Sequence, residues 1–197
     1  MRSIKLAVLS SVVAVGILAV SASAASAVGF HPAGTASLTA TGNTTLTSGA
    51  TAIRCSTSSV TGDPNADGDT SIMAAAAPTF GGTCQALVFG VPVASASVVT
   101  SGTWSIIATS STRVDIDVPQ NAAVVTVGAP LNCTITVNPA GTTLVGANGD
   151  WNNATHQLTL NGAGTINIVG TGSCPSGTAT FTGTYAATST GGLVTVS

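Results

Sequence analysis

The sequence predicts an all-β protein, a single antiparallel β-sandwich of Ig-like or jelly-roll-like type held by two disulfides. Three observations lead there. Apolar and polar residues, most of the latter hydroxyl-bearing, alternate with period two in Ser37–Thr41, Val114–Val118, Cys133–Val137, Gln157–Leu160, Thr165–Val169 and Thr178–Thr182, the spacing that sends successive side chains to opposite faces of a strand. Gly, Pro and Asn punctuate these runs at roughly 8–12-residue intervals, as in sandwiches and barrels. The chain also carries four cysteines, an even set. Helical periodicity is absent except over Ser71 to Ala77, enough for one turn of helix.

The elements follow in chain order. Met1-Arg2-Ser3-Ile4-Lys5 is a short basic start, Leu6 to Val20 is an apolar run, and Ala22-Ser23-Ala24 and Ala25-Ser26-Ala27 are small-x-small cleavage sites. That combination is a secretory signal peptide rather than a membrane anchor, the apolar run being short for a spanning helix. Cleavage after Ala27 leaves residues 28–197 as one sandwich domain that does not span a membrane.

Charge is scarce. Only 5% of residues are ionic, there is no Glu, and the sole Lys, Lys5, leaves with the leader. The exported part keeps Arg54, Arg113 and all six Asp. It cannot build the basic face that neutralises nucleic-acid phosphates, and lysine chemistry is excluded. Polarity comes instead from 54 Ser and Thr residues. Outward positions of such strands lack the charges that ordinarily block edge-to-edge pairing and keep apolar patches apart. The composition therefore points to apolar surfaces, cell-envelope components or further copies of the chain as partners.

In an exported chain, Cys55, Cys84, Cys133 and Cys174 read as two disulfides. The pairing Cys55–Cys84 with Cys133–Cys174 is favoured, because each half then repeats one layout in which Gly-Thr-Cys or Gly-Ser-Cys brings in the second cysteine.

Two candidate sites stand out. Asp63-Pro64-Asn65-Ala66-Asp67-Gly68-Asp69 offers oxygen side chains at Asp63, Asn65 and Asp67, with Gly at position 6 and Asp69 beyond, like the first half of an EF-hand-type Ca²⁺ loop. It resembles the Asp-rich loops of dockerins and thrombospondin type 3 repeats, but position 12 is Ala74 and the bidentate Glu is missing. Calcium is the one cofactor the sequence suggests. Trp151, with Asn152 and Asn153, is placed at a hairpin tip, where an exposed ring beside amides can stack on a sugar.

Catalysis is not expected. Asp115 and Asp117 lie roughly 7 Å apart on one strand face with Arg113, but Val114, Ile116 and Val118 face the other way, so the Asp face is the wet one. His31 lies near the new N-terminus, His156 begins a strand on the side of Leu158 and Leu160, and no Gly-x-Ser-x-Gly elbow is present.

Several short motifs carry a resemblance: Thr39-Ala40-Thr41-Gly42, Thr45-Leu46-Thr47 before Cys55, Gly82-Thr83-Cys84, Val91-Pro92 and Trp151-Asn152-Asn153-Ala154-Thr155. Together they resemble the small secreted bacterial proteins of the protein activator of alkane oxidation family. The resemblance implies a non-catalytic exported protein that helps cells handle hydrophobic substrates or surfaces. The sequence-level expectation is thus a secreted or cell-surface accessory protein acting at apolar interfaces. The alternative is a carbohydrate- or small-ligand-binding module, calcium-dependent through the Asp63–Asp69 loop.

Overall fold

Hydroxyl-rich alternation forces one side of each strand inward and leaves the other to water, and the chain folds accordingly. A computed structural model describes residues 28–32, 34–63, 71–74, 77–140, 144–145, 149–162 and 164–197. The expected leader, residues 1–27, lies outside these. The first strands are β1 (Phe30–His31), β2 (Ala36–Ala40), β3 (Thr44–Ser48), β4 (Thr51–Asp63), β5 (Ser71–Ala74) and β6 (Thr79–Val88). Then come β7 (Val91–Thr100), β8 (Ser105–Ser110), β9 (Arg113–Val118), β10 (Ala123–Val127), β11 (Cys133–Val137) and β12 (Leu144–Val145). The last are β13 (Gly149–Asn152), β14 (Gln157–Asn161), β15 (Ile166–Gly170), β16 (Gly177–Ser189) and β17 (Thr195–Val196). No helix occurs among the described residues. Ser71–Ala74 is a strand rather than the helical turn its sequence allows, because β4 and β8 take its backbone bonds on either side.

All pairings are antiparallel, as expected of the sandwich, and the ladder closes on itself twice. One ring runs β16–β3–β4–β6–β7–β10–β11–β15 and back to β16. The other runs β16–β2–β4–β5–β8–β9–β13–β14 and back to β16. The 13-residue strands β4 and β16 are long enough to serve both rings. Between them β2 and β3 act as one strand broken at residues 41–43. Apart from the β1–β17 pair, β12 is the only described strand with a single partner.

One apolar core runs through both rings, from Phe30, Leu38 and Ile53 to Val125, Ile135, Leu158 and Ile168. It is built mainly of Val, Ile, Leu and Ala, as the shortage of aromatics requires. Asn138, fully buried just after β11, donates through Nδ2 to the carbonyls of Val118 (2.8 Å) and Pro119 (3.1 Å), tying the end of β9 to the neighbouring ring. Both expected disulfides are formed. Cys55 and Cys84 are direct cross-strand partners on β4 and β6, while Cys133, opening β11, is bonded to Cys174 in the turn before β16.

Candidate functional site

The ionisable side chains are unevenly placed. Arg113, Asp115, Asp117 and Asp150 gather on β9 and β13, with Arg54 and Asp63 on β4. Strands β6, β7, β10, β11 and β15 contain no Asp, Glu, Lys, Arg or His. Four of these, β7–β10–β11–β15, are consecutive neighbours in the ladder.

Strand register turns that uncharged face into an apolar one. Val99 is opposite Val124, Val124 opposite Thr136, and Thr136 opposite Val169, so one transverse row crosses four strands. Directly opposed side chains on one face are close enough to touch. Val99, Val124 and Val169 are 69%, 40% and 49% exposed, large values for residues that prefer the interior. The inward side of β7 is filled by Ala94, Ala96 and Val98, which pack on the core.

The same strand begins at an aromatic tip. Phe89 and Gly90 link β6 to β7 with φ of 49° and 80°, the two left-handed residues of a type I′ turn. Glycine adopts that conformation freely, whereas a bulky residue there is strained. Phe89 is nevertheless 85% exposed, and Val91 beside it is exposed too. Strain held at a solvent-facing aromatic is the kind of outlier from which a functional hypothesis starts. None of Phe89, Val99, Val124 or Val169 was singled out from the sequence. The Val-Pro-Val-Ala-Ser-Ala-Ser-Val-Val run hints at β7's two faces, but the row depends on register between strands far apart in sequence.

The residues that the sequence did single out are placed differently. Trp151 is not an exposed hairpin-tip ring: it is 3% exposed and meets Phe30 edge to face, with ring centroids 5.8 Å apart. Its Nε1 donates to Asn153 Oδ1 at 2.8 Å. Sugar stacking needs a bare ring face, and Phe30 and the core cover this one. Asn152 is exposed, but its Oδ1 accepts the backbone N–H groups of Ala154 (2.9 Å) and Thr155 (3.2 Å), holding the turn. Asn153 reaches across to β17 and to the loop before β9.

Of the candidate calcium ligands, Asp63 is exposed at the end of β4, while Asn65, Asp67 and Asp69 lie outside the described residues. Among the described residues no cluster of three or more His, Cys, Asp or Glu forms a metal site. Val114, Ile116 and Val118 face the core as expected, and Asp115 and Asp117 are outward and half-buried. Arg113 pairs with Asp150 on the adjacent strand, at 3.8 Å, rather than with its own strand's carboxylates. His31 is held in β1 opposite Thr195 rather than in a frayed end. His156 closes the β13–β14 turn, its Nδ1 donating to the Val194 carbonyl at 2.9 Å.

Fold and surface together define a disulfide-bonded, all-antiparallel β protein whose described ionic groups lie away from one broad, partly apolar face. Closed disulfides of this kind belong to an oxidising compartment. The chain belongs to the family described as alkane oxidation protein activator PraA/PraB-like, which matches residues 1–195. No curated protein and no solved structure matches it.

Proposed function

We propose that this is an exported, non-catalytic accessory protein that adsorbs to apolar surfaces through the outer face of β7–β10–β11–β15. The observation that carries the reading is the exposed Val99–Val124–Thr136–Val169 row on strands without an ionisable group. Water leaves such a surface at a gain of roughly 25 cal/mol per Å² of apolar area covered. A charge on the same face would oppose that gain by its own desolvation, and these four strands contain none. Phe89 and Val91 extend the apolar contact to the end of β7. The family description, an activator of alkane oxidation, fits a partner that is itself a hydrocarbon phase or a cell-envelope surface wetted by one. Adsorption to an apolar phase is favoured over strand addition between copies, because nearly every described strand already has two partners.

The test is interfacial tension at a hydrocarbon–water boundary, measured with the exported, oxidised protein with and without calcium. The expected result is a large drop at micromolar protein, substantially reduced when Val99, Val124 and Val169 are all replaced by Thr, which keeps branching but adds hydroxyls. Tension unchanged by the protein, or lowered equally by the triple variant, removes this face from the function. A calcium-dependent drop would bring the Asp63–Asp69 loop into the reading.

A further inference from the structure

Adsorption through the outer face leaves a feature of the interior unused. A cavity of about 90 Å³ lies within the core. Its wall is largely hydrocarbon, with Leu38, Ile53, Trp104, Ile106, Val125 and Leu160 among the lining side chains. Among the described residues three hydroxyl side chains interrupt it: Thr44, Ser58 and Tyr185. Ser58 Oγ and Tyr185 Oη are 3.0 Å apart and hydrogen-bond to each other. Thr44 is 1% exposed and its Oγ1 has no hydrogen-bond partner.

An unpaired buried hydroxyl is costly, and a core position that only had to be filled is met equally well by Val. The neighbouring Ser58–Tyr185 pair also has capacity left, since two hydroxyls use one donor and one acceptor in bonding each other. Gly183 lets the Thr44 methyl and the Tyr185 ring edge lie close together. A Cβ there would lie 3.0 Å from Thr44 Cγ2 and 3.3 Å from Tyr185 Cε2. Among the described residues no ionic side chain lines the cavity, so a charged ligand would find no counter-ion there.

We propose that the cavity is a binding site for a short, uncharged aliphatic alcohol. Its hydroxyl meets Thr44 Oγ1 and the Ser58–Tyr185 pair, and its carbon chain lies along the apolar wall toward Trp104. A comparable apolar cavity of about 150 Å³ admits benzene, so the smaller volume here suits a ligand of about four heavy atoms. This site is separate from the outer face and does not rest on the adsorption reading.

The probes are 1-propanol and n-butane, which have equal numbers of heavy atoms and differ in the hydroxyl. Binding is read from Trp emission of the oxidised protein, the cavity signal being the part lost in Trp104→Phe. Expected is a saturable change with both probes, with 1-propanol bound about fivefold more tightly, the size of one net hydrogen bond. Thr44→Val removes the unpaired hydroxyl at constant shape, so it should fold with undiminished stability and bring the two affinities together. Outer-face variants should leave both affinities unchanged. Absence of any saturable change, equal affinity for the two probes in the parent protein, or a preference surviving in both Thr44→Val and Tyr185→Phe overturns the proposal.

Discussion

Asn153 and Val196 hold each other through a reciprocal pair of hydrogen bonds, Asn153 Nδ2 donating to the Val196 carbonyl and Val196 N–H donating to Asn153 Oδ1, both at 2.8 Å. The same amide accepts from Trp151 Nε1 and donates to the Ser111 carbonyl. One side chain therefore ties β17, the β13–β14 turn and the start of β9 together. Replacing Asn153 by Ala leaves several of these groups unpaired and should cost about 2–4 kcal/mol. Asn152→Ala, which loses only turn bonds to exposed backbone, should cost about 1 kcal/mol or less. Urea unfolding of the two variants measures the difference.

Phe89 is where the stability of the fold and the proposed adsorption can be told apart. Asn at the first position of an Asn-Gly type I′ turn tolerates positive φ far better than Phe. Phe89→Asn should therefore stabilise the fold by about 0.5–1 kcal/mol while weakening adsorption at a hydrocarbon boundary. Thermal unfolding and interfacial tension on the same preparation test both halves. A variant that loses stability contradicts the turn assignment.

Tyr185 sets an alkaline limit. Burial pushes its phenol up to about 12, the Ser58 hydrogen bond acting in the opposite direction. The unfolded chain's phenol titrates near 10. Stability linked to Tyr185 is therefore complete below pH 10 and lost as pH rises from 10 toward 12, by about 2–3 kcal/mol in all. It is the only tyrosine in the chain, so an absorbance titration of phenolate follows it directly. Tyr185→Phe should flatten the stability profile over that window.

The two disulfides close spans of 29 and 41 residues. By loop-closure entropy each restrains the unfolded chain by about 4 kcal/mol. Replacing either pair by Ala should lower stability by a similar amount in both cases. If one pair contributed nearly everything, residual structure in the other half of the unfolded chain would be the explanation to pursue.

Much of the architecture was legible because it is written locally. Alternation in Val114–Val118 and Cys133–Val137 names the buried face residue by residue, and the layout around Gly82-Thr83-Cys84 and Gly172-Ser173-Cys174 pairs the cysteines as found. The candidate site was much less legible. Trp151 among Asn and Gly looks exposed until Phe30, more than a hundred positions earlier, arrives to cover it. The Val99–Val124–Val169 row exists only once three separate registers are set. Arg113 likewise finds Asp150 through a strand pairing that no local spacing encodes. Ser71–Ala74 shows the same limit, its Ala-rich surroundings permitting a helical turn that its two neighbouring strands overrule.

Closure of the ladder carries a consequence for how such a protein can evolve. Most β proteins keep lysines and prolines along exposed strands as guards against stray chains. Where the backbone has almost no unclaimed donors or acceptors to present, those guards become dispensable. Selection can then strip a surface of ions and tune its wettability by exchanging threonine for valine, one methyl for one hydroxyl at a time, with little hazard of fibril formation.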